Sequence, residues 1–131
     1  LYLAYKPLLG KVSGRVLNGI RQRYERGDPF VIKTLKRIAD LAEKGRQALL
    51  DGKKEEWPSL MNENFDLRSQ IMTISESNME MIRVARSCGA SAKFAGSGGS
   101  IIGMYKAEEM YGRLAAELEK LGAIVIKPII I

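Results

Sequence analysis

The residues best suited to chemistry form a glycine-rich segment in the second half of the chain. Three of the four residues from Gly96 to Gly99 are glycine, and glycine adopts backbone angles that a Cβ forbids. Successive N–H groups in such a turn can form a nest that binds an anion. Two interpretations stay open: a tight hairpin turn, and a phosphate-binding loop formed by Gly96, Ser97, Gly98, Gly99 and Lys93, whose ammonium group would face either a phosphate or solvent.

Two familiar phosphate-binding motifs do not match this segment. A Walker A loop requires a trailing Gly-Lys-Ser/Thr and a helix after it, whereas here a predicted strand follows the glycines. A dinucleotide-binding fingerprint is excluded as well, because Ile101 stands where the third glycine belongs. Any phosphate binding at this turn would therefore use a different architecture.

The composition narrows the possible chemistry further. The chain has no histidine, and its one cysteine is Cys88, so Ser-His or Cys-His catalysis and an internal disulfide are excluded. A zinc site is disfavoured for the same reason. No pair of carboxylates stands out as a general acid and base. Because no apolar run is long enough to span a membrane, we expect a reducing, cytoplasmic setting.

Two further groups of polar residues are candidates for ligand contacts. Asn64 shares a face of a predicted helix with Leu60 and Arg68, so it serves either a hydrogen bond between helices or a substrate. Residues 11–26 are strongly basic and include Arg15 and Arg21. Together with the net charge of +6, they indicate either an anionic partner or a solvated basic surface.

The 131 residues are enough for one domain, and with 46% hydrophobic residues the chain can bury a core. Because the chain opens inside a predicted strand, we expect it to be a piece of a longer polypeptide. The hydrophobic pattern predicts strands over residues 1–5, 91–95, 100–105 and 123–131, and helices over part of 11–26 and over 29–50, 55–71, 77–89 and 106–121.

Several residues are predicted to define the ends and inner faces of these helices. Asp28 and Pro29 are expected to begin the helix over residues 29–50, and Ser77 with Glu80 is expected to form a capping box. Gly89 is expected to end the helix that Ser77 begins. The inner face of the helix over residues 29–50 is predicted to carry Val31, Leu35, Ile38, Ala42 and Leu49.

The order of these elements predicts an α+β fold, a small sheet with helices packed on one face.

The motifs of the chain also resemble a known family. The segments LMNENFDLR at residues 60–68 and AKFAGSGGS at residues 92–100 resemble, in order and spacing, the C-terminal half of GHMP-family kinases. The resemblance is strongest to glucuronokinase-like sugar kinases, in which residues 10–28 would join the two domains.

The resemblance implies a ferredoxin-like sheet with added helices, in a domain that helps transfer the γ-phosphoryl group of ATP, with Mg²⁺, to a sugar or sugar-acid hydroxyl. The glycine turn (Gly96, Ser97, Gly98, Gly99) would line the cleft together with Lys93. Asn64, Arg15 and Arg21 would contact the substrate. Residues 1–131 would then be one domain, the C-terminal half of a two-domain kinase, with residues 1–28 as strand and connecting segment and residues 29–131 as core.

The sequence departs from the family pattern in one important respect. It lacks the Pro-x-x-x-Gly-Leu-Gly-Ser-Ser-Ala loop and an identifiable catalytic carboxylate, both expected in a missing N-terminal domain. Because phosphoryl transfer needs parts that act together, we expect this chain alone to be inactive. The alternative is a basic ferredoxin-like binding or regulatory module for RNA or a protein. RNA is disfavoured, since the central strands offer almost no aromatic residues for stacking.

Overall fold

The computed structural model describes residues 1–7 and 13–131, and the side chains of residues 1–7 and 18–131. The elements in chain order are β1 (Tyr2–Tyr5), α1 (Ser13–Glu25), α2 (Pro29–Leu50), a short 3-10 turn (Lys54–Glu56), α3 (Trp57–Ile71), α4 (Glu76–Ser87), β2 (Lys93–Phe94), β3 (Ser100–Gly103), α5 (Glu108–Glu119) and β4 (Ile124–Ile126).

The four strands form one antiparallel sheet in the order β2-β3-β1-β4. Ala4 pairs with Ile101, which pairs with Phe94, and all three are buried on one face together with Tyr2. Helices α3, α4 and α5 cover this face with apolar side chains. The predicted α+β class, a small sheet with added helices on one face, is confirmed.

The core contributions of the helices are Phe65 from α3, Met81, Ile82 and Ala85 from α4, and Leu114 and Leu118 from α5. Phe65 meets Phe94 edge-on, with ring centroids 5.2 Å apart, an arrangement favoured by the ring quadrupoles. This contact joins α3 to the two-residue strand β2 and thereby fixes the start of the glycine segment.

The beginning of α2 is as predicted. The side chain of Asp28 accepts hydrogen bonds from the N–H groups of Phe30 and Val31, and Pro29 opens the helix. Arg23 of α1 forms an ion pair with the same carboxylate. Backbone donors and Arg23 lower the pKa of Asp28 despite an opposing desolvation effect.

The predicted inner face of α2 is wrong in part. Ala42 is exposed and Leu49 is 59% exposed, whereas Thr34, Gly45 and Ala48 are buried alongside Val31 and Leu41. The reason is the close approach of α3, where the indole Nε1 of Trp57 donates to the carbonyl of Gly45 at 3.0 Å. This bond places Gly45 in the interface between the two helices, so the buried face of α2 is offset from the predicted one.

The predicted start of α4 is also wrong. Ser75, not Ser77, is the N-cap, and its hydroxyl accepts from the N–H of Asn78. Ser77 instead accepts a hydrogen bond from the ammonium of Lys6 at 2.7 Å. The predicted end of this helix is confirmed, since Gly89 follows it with φ of +89°.

The strands are shorter than predicted. β2 keeps only two of the five residues expected, because Ser91 lies outside the ladder and bonds to Met104 through both its backbone and its hydroxyl. β4 is an edge strand of three residues that ends before Pro128, as expected for proline. Among the helices described, none is both long and apolar enough to cross a membrane.

A buried contact closes the core beneath β3. The hydroxyl of Tyr2 donates to the carbonyl of Ser91 at 2.7 Å, and burial raises the pKa of Tyr2 well above its usual value. A Cβ built on Gly103 would lie 1.8 Å from the same carbonyl oxygen. Only glycine therefore allows the backbone of residue 91 to approach β3 this closely.

The substitution Gly103→Ala is expected to lower the free energy of unfolding by about 3 kcal/mol or more, because the added methyl overlaps backbone atoms that cannot move aside. Gly112→Ala is the matched control. A Cβ at position 112 meets nothing within 4 Å, so alanine in this exposed helix should raise stability by about 0.5–1 kcal/mol. Urea unfolding of the two variants checks the pair, and equal stability would contradict it.

Candidate functional site

The glycine segment forms a turn between β2 and β3. Gly96, Gly98 and Gly99 have φ values of +134°, +145° and +80°, a region that residues with a Cβ rarely adopt. The N–H of Ala95 donates to the carbonyl of Ser100 at 3.0 Å and closes the turn. The glycines are thus required by the backbone path itself.

Three elements hold the turn in place. A guanidinium nitrogen of Arg68, on α3, donates to the carbonyl of Gly96 at 2.7 Å. The side-chain oxygen of Asn78, on α4, accepts from the N–H of Gly99 at 2.9 Å. The backbone N–H of Lys6, just after β1, donates to the carbonyl of Gly99 at 3.0 Å. The turn is therefore anchored from several sides.

The anchored turn leaves consecutive donors available. Within the described part of the chain, no hydrogen bond uses the N–H groups of Gly96, Ser97 or Gly98. Asn78 takes the N–H of Gly99, and this residue stands in the first turn of α4, the positive end of the helix. Three successive N–H groups of the turn are thus available to donate to a ligand.

Two cations accompany the turn. Lys93 is half-buried, and its ammonium donates to the carbonyl of Phe94 at 2.8 Å. Burial lowers the pKa of Lys93, and repulsion from Arg68 lowers it further. Burial also lowers the pKa of Arg68. Neither side chain takes part in the ion pairs found among the described residues, so the site is electrostatically suited to an anion.

Asn64 lies with Lys93 on the wall of a groove of about 560 Å³ between α2 and α3. Its side-chain oxygen is buried and has no hydrogen-bond partner among the described residues. The bond between helices that the sequence left open is thus not seen there, and Asn62 instead accepts from the N–H of Ala92. The rest of the groove is mostly apolar, with Ile38, Ala42, Leu49, Trp57 and Leu60 among its walls.

Of the two predicted arginines, Arg21 lies apart from this arrangement. Arg21 pairs with Glu25 on the exposed surface of α1, with 2.8 Å between the nitrogen and the carboxylate oxygen. No described hydrogen bond connects Arg21 to the turn. The side chain of Arg15 lies outside the described residues, so its predicted substrate contact stays a prediction.

Sequence reasoning missed three residues that shape the site. Asn78 and Lys6 reach the turn from distant positions in the chain, and no local pattern indicates those contacts. For Arg68 a signal existed, because it follows Asn64 by one helical turn and shares its face. Within the described residues, no group of three or more acidic or cysteine side chains is arranged to hold a metal ion.

The profile of the family described as "GHMP kinases C terminal" matches residues 46–122. The chain is 38% identical over 120 residues to "Probable glucuronokinase 2" of Arabidopsis thaliana, covering 89% of the chain and 33% of that protein. It is 43% identical over 93 residues to "Glucuronokinase 1" of the same plant, covering 69% of the chain and 26% of that protein. The chain thus spans about a third or less of these relatives.

Solved structures show the same fold. A protein of Listeria innocua, Lin0012, superposes with a TM-score of 0.83 at 19% identity, covering 97% of this chain and 38% of that one. The mevalonate kinase of L. major, in complex with R-mevalonate, superposes with a TM-score of 0.73 at 21% identity, covering 91% of this chain and 37% of that one. At these identities the likeness concerns the fold alone.

The hydrogen bond from Gly99 to Asn78 gives a direct test of how the turn is held. Asn78→Ala removes the acceptor, so the Gly99 amide proton should exchange at least about tenfold faster and stability should fall by about 1–2 kcal/mol. Asn78→Asp retains an acceptor oxygen and should keep most of the protection. Amide exchange followed by NMR distinguishes them, and identical protection in both variants would show that Asn78 does not hold the turn.

Proposed function

Because the chain belongs to the GHMP kinases, through their C-terminal domain, we propose that it is the C-terminal domain of an ATP-dependent kinase. That kinase would transfer the γ-phosphoryl group of ATP to a hydroxyl of a sugar acid. Residues 29–131 would form the core of this domain, and residues 1–28 would supply a strand and the connection to the domain before it. A cytoplasmic location belongs to the same proposal.

The observation that carries the proposal is the anchored glycine turn with free N–H groups at Gly96, Ser97 and Gly98. Phosphoryl transfer depends mainly on positioning and on neutralising charge at the phosphate oxygens. Preorganised backbone donors do this without reorganising during the reaction. The turn offers such donors, and Lys93 adds a positive charge beside them.

ATP and Mg²⁺ would enter the site as a complex in which the metal neutralises phosphate charge. The residues of this chain that fit the nucleotide are the donors of the turn together with Lys93. Since the chain spans about a third of the glucuronokinases it resembles, the main phosphate loop and the acidic residue that orients the acceptor are proposed to lie in the remaining length. The role of this chain is then to bind and orient phosphate.

A sugar acid suits one end of the groove. The unpartnered oxygen of Asn64 can accept a hydrogen bond from a sugar hydroxyl, and Lys93 can pair with a carboxylate. The apolar remainder of the groove does not suit a hydroxyl-rich ligand. Contacts from Arg15 and Arg21 remain part of the proposal, although Arg21 would first have to leave Glu25.

The alternative, a basic RNA-binding or regulatory module, receives little support from the sheet. The face opposite the core carries Leu3 and Tyr5 from β1 and Ile102 from β3, followed by Ile124 and Ile126 from β4. Tyr5 is the one aromatic among these strand positions. Single-stranded RNA recognition on a sheet ordinarily uses two or three stacked aromatics.

Kinase activity should require a chain of the full length that the glucuronokinase relatives have. The purified 131-residue chain is expected to release no ADP from MgATP and glucuronate, because it lacks most of the parts that act together. Replacing the matching segment of Arabidopsis glucuronokinase 1 with this chain should give a chimera that releases ADP when glucuronate is present. A folded chimera without turnover, beside an active unmodified glucuronokinase, would contradict the proposal.

The glycine turn is tested in the same chimera. Gly98→Val places a branched side chain at a φ of +145°, with its Cβ 3.1 Å from the side-chain nitrogen of Asn78. ADP release should therefore fall at least about 100-fold, which is the effect of losing one preorganised donor. Gly112→Ala serves as control and should leave turnover unchanged. Normal turnover by a folded Gly98→Val protein would remove the turn from the mechanism.

A further inference from the structure

Arg68 and Lys93 are two partly buried cations whose side chains donate to carbonyls at or next to the glycine turn. Eight ion pairs are described, and they involve arginines and lysines such as Arg46, Lys120 and Lys127. Arg68 and Lys93 are both half-buried, and neither has an acidic partner among the described residues. Two partly dehydrated cations beside the turn therefore lack a counter-charge among the described residues. Lys6 lacks one too, but its ammonium is bonded to Ser77.

Such an arrangement is unfavourable for the protein alone. Burial removes hydration from both groups, and the two charges repel one another. Each group makes one described hydrogen bond, from Arg68 to the carbonyl of Gly96 and from Lys93 to the carbonyl of Phe94. A guanidinium has five N–H donors and an ammonium has three, so most of their donors remain available to a ligand.

We propose that Arg68 and Lys93 together bind one oxyanion, a phosphate or carboxylate group, beside the glycine turn. The inference rests on the proposed function only for the source of that group, which is either a phosphate of the nucleotide or the carboxylate of the sugar acid. The free N–H groups of the turn supply further donors to the same anion or to the adjoining part of the ligand.

The orientation of Arg68 supports this role. Its hydrogen bond to Gly96 holds one edge of the guanidinium, and the group lies 5.8 Å from the centroid of the Phe94 ring, within cation–π range. A guanidinium held in this way presents a planar fork that matches an oxyanion. Because Lys93 precedes Phe94 directly, the same buried ring positions both cations.

The test is calorimetric titration of the 131-residue chain at low salt with pyrophosphate and, separately, with glucuronate. Lys93→Met and Arg68→Gln should each weaken binding of one of these anions at least about tenfold, the scale of one charge-assisted hydrogen bond. The matched controls are Arg113→Gln on α5 and Lys120→Met directly after it. Both remove exposed cations and should change affinity less than about twofold.

The two titrants identify the source of the anion. Loss confined to pyrophosphate assigns the pair to a nucleotide phosphate, and loss confined to glucuronate assigns it to the acceptor carboxylate. Unchanged affinity in both variants, or no measurable binding of either anion by the unmodified chain, would overturn the inference. An active chimera accompanying that result would leave the proposed function intact.

A stability measurement excludes a merely structural role for Lys93. If the residue is retained for binding, Lys93→Met should melt at the same temperature as the unmodified chain or higher, because the substitution removes a desolvated, repelled charge. At position 68 the corresponding variant is Arg68→Lys, which retains the positive charge but loses the planar guanidinium. This variant should stay folded and bind the anion more weakly. If Lys93→Met melts at a much lower temperature and binds both anions as tightly as the unmodified chain, the proposed role of Lys93 in anion binding is overturned.

Discussion

The burial of Phe94 against Phe65 is the constraint on which the site depends. The two rings meet edge-on at 5.2 Å, and Phe94 is 1% exposed. Because side chains alternate across a strand, fixing Phe94 in the core directs Lys93 to the other side of β2. The glycine turn begins two residues later, so its starting point is set by a hydrophobic contact, while its path is set by Arg68, Asn78 and Lys6.

The site gathers several unfavourable groups in one region of the molecule. Lys93 and Arg68 are desolvated without a counter-ion, and the side-chain oxygen of Asn64 is buried without a partner in the described part of the chain. In the core, Tyr2, Ser91 and Asn62 have hydrogen-bond partners, whereas Nε of Arg86 is a second buried atom without one among the described residues. Two uncompensated cations and an unpartnered amide oxygen near one turn are typical of a functional site.

Much of the fold could be predicted from the sequence because its signals are local. The cap at Asp28, the helix end at Gly89 and the glycine turn each depend on residues adjacent in the chain. The inner face of α2 could not be predicted, because it depends on how Trp57 packs over Gly45. The bond between Asn78 and Gly99 could not be predicted either, because the two residues are 21 positions apart. The same holds for Ser77, which accepts a hydrogen bond from Lys6 and does not cap α4. Family resemblance favoured phosphate binding at the turn, but it did not indicate the anchors or the proposed role of Arg68.

Whether the turn presents free N–H groups to phosphate is tested most directly by NMR titration of the 131-residue chain with tripolyphosphate. We expect saturable shifts of the backbone amides of Gly96, Ser97 and Gly98, with little change at the amide of Gly112 in α5. Amides of the turn that stay unmoved at saturating tripolyphosphate, in a chain whose other resonances show it to be folded, would contradict it.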